Sequence, residues 1–151
     1  MQIAECKLKN EDDAERSVAD QKPLTPSDLS DRFLDFADRT STVVEALPDT
    51  RLGRRIADQL LRSGTSPVGN YEEACAAESK SDFAHILRIC LKEVRESRGW
   101  LRLIARRNLL PATRLEDLID EAEQLARILG KSIATARGIP KKNQAEQYDG
   151  S

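Results

Sequence analysis

Apolar residues recur at helical spacing in four segments of the chain, and no segment alternates as a β-strand does. The first segment opens with Thr25-Pro26-Ser27-Asp28, which offers an N-cap, a proline at the first helical position and a capping acid, and it stops at Pro48. A second segment follows, and a third runs from about 82 to 107. Thr113 with Glu116 has capping-box spacing ahead of the fourth. Because the connections are short, the pattern predicts an all-α, up-down-up-down four-helix bundle.

The length of 151 residues leaves room for one ordinary domain, which we assign to 25–137. The flanking stretches 1–24 and 138–151 have no apolar period, and we predict disordered tails there. No signal peptide and no run of 18 apolar residues occurs, so we expect a cytoplasmic protein without a membrane segment. The three cysteines lack CxxC spacing, which favours reduced thiols over a disulfide.

One stretch of the second segment, SGTSPVGN at 63–70, has an unusual composition for a helix. If helices 2 and 3 are antiparallel and joined by a turn near residue 80, facing residue numbers add to about 160, and Pro67 faces Glu93. Glu93 lies on the apolar side of helix 3, where a buried carboxylate needs hydrogen bonds. We therefore predict a kinked helix whose polar break donates to Glu93, with Gly64 and Gly69 letting the two backbones approach closely. The alternative is a surface loop between two shorter helices. The candidate donors of the break are Ser63, Thr65, Ser66 and Asn70.

The residue types needed for several common chemistries are missing. The stretch GTSPVGN has neither the lysine nor the GxxxxGK[ST] spacing of a phosphate loop. A di-iron carboxylate bundle needs Glu-x-x-His on two helices, whereas this chain has one histidine, His85, preceded at that spacing by Asp82. Cys75 and Cys90 sit at apolar helical positions typical of core thiols. The sequence thus predicts no catalytic residue, no metal and no cofactor.

The stretches QLLRSGTSPVGNYEEA and SDFAHILRICLKEVRESRGWLRLI resemble the four-helix-bundle family encoded by intervening sequences in bacterial large-subunit ribosomal RNA genes. That family includes the accessory variability determinant proteins of diversity-generating retroelements. The likeness covers about 29–137, and LARILGKSIATAR is similar to the last helix of the accessory proteins. Its specific residues are Arg62, Ser63, Thr65, Ser66, Asn70, Glu73, Lys92, Glu93, Glu96, Trp100 and Leu101.

The resemblance implies a ring-shaped homopentamer without known catalytic activity. For the retroelement members it also implies binding of RNA and of a partner reverse transcriptase through basic surfaces. This chain departs from the retroelement pattern in its net charge of −2, because those members are strongly basic. Eight of the matching residues form a predicted buried polar motif: Ser63, Thr65, Ser66, Asn70, Glu73, Glu93, Glu96 and Trp100.

Charge is distributed unevenly along the chain. Residues 51–107 contain 12 Lys/Arg and 7 Asp/Glu, whereas 25–50 contain 2 and 6. On helix 3 six cations fall within about 120° at 100° per residue, namely Arg88, Lys92, Arg95, Arg98, Arg102 and Arg106. Helix 2 carries a shorter row of three arginines, namely Arg51, Arg55 and Arg62. Helix 1 carries the opposite charge on Asp28, Asp31, Asp35 and Asp38.

Three interpretations of these charged rows remain open at this point. Each row is a solvated face, or the basic row follows an RNA phosphate backbone, or it meets the aspartates of a neighbouring subunit. Apolar residues on helix 3 also span about 240° of its circumference, more than one packed side needs, which favours an oligomer interface. We therefore predict a non-enzymatic homo-oligomer that is a candidate RNA or ribonucleoprotein accessory factor. The alternative is a structural or protein-binding adaptor ring that binds no nucleic acid.

Overall fold

The computed structural model describes residues 24–138, which form four α-helices and a short 3-10 turn. The helices are α1 (Pro26–Ala46), α2 (Arg51–Cys75), α3 (Lys80–Arg106) and α4 (Glu116–Ala136). No strand occurs within 24–138, so the predicted all-α class and the four helices are confirmed. Apart from Leu24 and Gly138, the predicted tails lie outside the described residues. None of the four helices is long and apolar enough to cross a bilayer.

Side-chain caps start the first three helices. Thr25 Oγ1 accepts a hydrogen bond from the Asp28 backbone N–H at 3.2 Å, and the Asp28 carboxylate accepts one from the Thr25 N–H at 2.8 Å. This reciprocal pair is the predicted capping box, and it satisfies two backbone donors that a helix end leaves free. The hydroxyls of Thr50 and Ser79 cap α2 and α3 in the same way, through one backbone N–H each.

The capping box predicted for α4 is wrong. Thr113 lies within the 3-10 turn Ala112–Arg114, and Leu115, without a side-chain cap, precedes the helix. The backbone N–H groups of Arg114 and Leu115 bond to the carbonyls of Pro111 and Ala112 instead. The chain therefore tightens into a turn before α4 begins, and this places Thr113 too early to cap it.

The core is built from all four helices, and α3 packs against both α2 and α4. Consecutive helices pack closely along their lengths, whereas α1 and α4 contact each other much less. Two-sided packing explains the wide apolar arc of α3, because that helix must bury one side against each neighbour. Ile89 is the large apolar residue of α3 that stays exposed, at 39%. The apolar arc alone therefore no longer requires an oligomer interface.

The polar stretch of α2 is helical throughout, so the loop alternative is wrong. Pro67 is buried inside the helix. Gly64 does permit a close approach, but to α1 rather than to α3 as predicted: a Cβ on Gly64 would lie 2.4 Å from Thr40 Cγ2. A Cβ on Gly69 would meet nothing within 4 Å, so Gly69 has no packing role of this kind.

Candidate nucleic-acid interface

A buried pair of hydroxyls fixes how α2 and α3 face each other. Ser97 Oγ lies 2.9 Å from Ser63 Oγ and 3.0 Å from the carbonyl oxygen of Glu93, one turn earlier. Both serines are fully buried, and Ser63 Oγ also lies 3.4 Å from the Leu60 carbonyl oxygen. The numbers of the two serines add to 160, as the predicted antiparallel register requires.

Glu93 is buried as predicted, with 8% of the residue exposed, but its hydrogen-bond donor is not the predicted one. Arg62, just before the polar stretch, donates from Nη1 to Glu93 Oε2 at 2.9 Å and from Nη2 to Glu96 Oε1. Trp100 Nε1 lies 3.4 Å from the same Glu96 oxygen. The long arginine side chain reaches across to α3, which a short hydroxyl on α2 cannot do. We call Arg62, Glu93, Glu96 and Trp100 the interhelical network.

Apart from Ser63, the polar side chains of the stretch bond locally. Thr65 Oγ1 donates to the Leu61 carbonyl at 2.7 Å, and Asn70 Nδ2 lies 3.5 Å from Ser66 Oγ. Such bonds to the preceding turn satisfy polar side chains within a helix without an external partner. The predicted buried polar motif is therefore buried only in part: Ser63 and Glu93 are buried and Glu73 is exposed. The remaining members are half-buried: Thr65, Ser66, Asn70, Glu96 and Trp100.

Electrostatics inside the interhelical network favour the charged forms of two of its residues. The hydrogen bond to Glu96 and the charge of Glu93 raise the pKa of the Arg62 guanidinium above its usual value. Burial alone would raise the pKa of Glu96, but hydrogen bonds from Arg62 and Trp100 outweigh it and lower that pKa. Arg62 is thus an ion-pair partner rather than a free cation.

A second arginine of the predicted basic row is also paired. Arg98 lies on the side of α3 towards α4, and its Nη2 is 2.6 Å from Glu123 Oε1. Sequence spacing placed Arg98 at the margin of the arc, about 80° from Arg88. This marginal position was the one sequence feature that could have set Arg98 apart from the other cations. Its acidic partner, Glu123, lies on α4 and has no sequence pattern that links it to Arg98.

The other five cations of α3 are exposed, and within residues 24–138 none of them has an acidic partner within 4.0 Å. We call these five the basic stripe: Arg88, Lys92, Arg95, Arg102 and Arg106. The stripe extends over about 27 Å at 1.5 Å per residue, on the side of α3 opposite the core. On α2, Arg51 and Arg55 are exposed too and form no ion pair with a described residue.

The aspartates of α1 are only partly available to an outside partner. Asp28 belongs to the capping box, and Asp35 lies 3.6 Å from Arg39. Asp31 and Asp38 are exposed and pair with no cation of the described region. The acidic row predicted for subunit contacts is therefore reduced to two residues.

Cys90 and the aromatic side chains are withdrawn from solvent, whereas Cys75 is exposed and is not the core thiol predicted. Burial raises the pKa of the Cys90 thiol to about 12, which keeps it protonated and unreactive at neutral pH. The ring of Tyr71 packs against Phe33 with centroids 5.2 Å apart. Within residues 24–138 every aromatic side chain is buried or half-buried, so no exposed ring offers a platform for base stacking. The same region contains no cluster of three or more potential metal ligands.

Comparison with known proteins identifies a family and a similar solved structure. The family model for the 23S rRNA-intervening sequence protein matches residues 28–131, a range that includes the basic stripe and the interhelical network. No curated protein matches the chain. A solved structure from Bacteroides thetaiotaomicron, a protein of unknown function from the S23 ribosomal protein family, is 31% identical. The match has a TM-score of 0.65 and covers 70% of this chain and 97% of that one.

Proposed function

We propose that this chain, which belongs to the 23S rRNA-intervening sequence protein family, is a non-enzymatic accessory protein that binds RNA through the basic stripe of α3. One observation carries the proposal: five exposed cations follow one face of a helix without an acidic partner in the described region. They do so in a chain whose net charge is −2, so the positive charge is concentrated rather than general. A row of unpaired cations attracts phosphates and gains free energy by releasing counterions.

The chemistry of the stripe favours contact with the RNA backbone over reading of bases. Arginine and lysine bind phosphate oxygens, whereas recognition of single-stranded bases depends on exposed aromatic rings. Because the described aromatic residues are withdrawn from the surface, we propose binding that varies little with RNA sequence. Arg51 and Arg55 of α2 extend the positive surface at the end of the helix pair where α2 begins.

We further propose that the protein acts in the cytoplasm as a homopentameric ring, possessing neither cofactor nor metal. A reverse transcriptase is the proposed protein partner, on the strength of the resemblance to retroelement accessory proteins. The competing proposal is an adaptor ring in which the basic stripe meets acids of a neighbouring subunit. Asp31 and Asp38 are exposed α1 aspartates suited to that contact.

The RNA proposal is tested by filter-binding titration of the wild-type protein against a 23S rRNA fragment and an unrelated RNA of equal length. We expect both RNAs to bind with similar affinity at about 50 mM salt and to lose affinity steeply as salt rises, because counterion release drives the binding. Retention of neither RNA at about 50 mM salt ends the RNA proposal and leaves the adaptor ring.

The oligomer proposal is tested separately by light scattering. At micromolar concentration we expect a mass several times that of the 16.9 kDa chain, with five chains as the favoured number. Light scattering of the double variant Asp31→Lys, Asp38→Lys tests whether these aspartates hold subunits together. Reversing their charge replaces attraction to the basic stripe with repulsion. A particle of 16.9 kDa at every concentration contradicts the oligomer.

A further inference from the structure

Gly99 interrupts the basic stripe near its middle. Positions 88, 92, 95, 99, 102 and 106 are separated by 4, 3, 4, 3 and 4 residues, so Gly99 occupies the place of a sixth stripe residue. Arg95 and Arg102 lie about 6 Å and 4.5 Å from it along the helix axis. The exposed cations thus surround a position with no side chain.

Packing within the chain does not explain this glycine. A Cβ on Gly53 would lie 2.0 Å from the Pro48 carbonyl oxygen, and one on Gly64 would meet Thr40 at 2.4 Å, so both sites exclude a side chain. A Cβ on Gly99 would meet nothing within 4 Å. Glycine inside a helix lowers stability relative to alanine, because it loses more backbone freedom on folding. Gly99 therefore lowers the stability of α3, and no contact within residues 24–138 offsets this loss.

A glycine also allows another molecule to come close to a backbone. Resting on the RNA function proposed above, we infer that Gly99 is where the RNA sugar-phosphate backbone lies directly against α3, with Arg95 and Arg102 on either side. Without a side chain at this position, a phosphate can sit between the two guanidinium groups at hydrogen-bond distance. A larger residue would hold the RNA away from the helix and lengthen the contacts around it.

The ligand class follows from the charges around the glycine. Five cations and no exposed aromatic residue suit a phosphodiester backbone, while a second copy of the chain would have to bring acids into the same place. The exposed α1 acids without an ion pair in the described region are Asp31, Asp38 and Glu45. Three carboxylates about 10 Å apart match a stripe of about 27 Å less well than a continuous row of phosphates.

The test compares Gly99→Ala and Gly99→Leu with Gly69→Ala, in which an exposed helical glycine of α2 is equally free of steric neighbours. Both alanine variants should melt about 2–4 °C higher than wild type, because alanine favours the helix. RNA affinity should fall about threefold in Gly99→Ala and about tenfold in Gly99→Leu, and it should stay unchanged in Gly69→Ala.

The outcomes separate this inference from the proposed function. If the wild type binds RNA and Gly99→Leu binds it equally well, the close approach at Gly99 is wrong while the basic stripe remains. If Gly99→Leu keeps RNA affinity but reduces the mass seen by light scattering, the molecule at Gly99 is a second copy, and the inference is overturned. Absence of RNA binding by the wild type removes the proposed function itself.

Discussion

Replacing Arg95 and Arg102 together by glutamate is expected to weaken RNA binding about 100-fold at about 50 mM salt, similarly for unrelated RNAs. Both side chains are exposed and have no acidic partner within residues 24–138, so the substitutions should leave the fold intact. Each removes one phosphate contact and puts a carboxylate beside the remaining cations. The corresponding alanine pair should flatten the salt dependence by about 0.7 log units per lost contact on a single strand. Filter binding across a salt series measures both quantities.

The matched control is Arg127→Glu with Lys131→Glu, which makes the same change in net charge on exposed positions of α4. If the basic stripe binds RNA, this control should retain most of the wild-type affinity. Equal losses in the two pairs would mean that overall charge rather than the stripe governs binding. Size-exclusion of the Arg95 and Arg102 variants then tests the adaptor alternative: a smaller particle with unchanged RNA retention would assign the stripe to subunit contacts.

Local chemistry in the sequence was sufficient to locate the first three helices. The Thr25 cap, the stop at Pro48 and the turn near residue 80 depend on neighbours within a few positions, and the structure reproduces them. The register between α2 and α3 followed from that turn, as the Ser63 and Ser97 contact shows. The start of α4 was misplaced, because a 3-10 turn competes locally with a capping box.

Residues that depend on distant partners could not be assigned from spacing. Helical periodicity placed Arg62 and Arg98 among the cations, but their acidic partners, Glu93 and Glu123, lie on other helices. Gly64 was assigned to the wrong neighbour for a related reason, since Thr40 on α1 has no sequence signal that links it to α2. Ion pairing thus occupies two of the nine predicted cations of α2 and α3, and the basic stripe is what remains unpaired on α3.

Glu93→Lys is expected to lower the free energy of unfolding by about 1–3 kcal/mol, because it places a lysine at a buried position that faces the Arg62 guanidinium. The Glu93 side chain is 11% exposed, and its carboxylate lies 2.9 Å from Arg62 Nη1. A lysine there would lose the hydrogen bond to Arg62 and meet its guanidinium, although the 50% exposure of Arg62 lets water screen part of the repulsion. Urea unfolding at pH 7 measures the change, with an unaltered m-value indicating that the native state stays compact.

Glu73→Lys is the matched control, because it makes the same chemical change at an exposed position of the same predicted motif. Its effect should stay within about 0.5 kcal/mol. Adding Arg62→Glu to Glu93→Lys restores opposite charges across the α2–α3 contact, so part of the lost stability should return. Recovery identifies charge as the cause, whereas no recovery attributes the loss to the size of lysine or to the Arg62–Glu96 ion pair that the second substitution removes. Equal and negligible effects of Glu93→Lys and Glu73→Lys would contradict a stabilising role for the interhelical network.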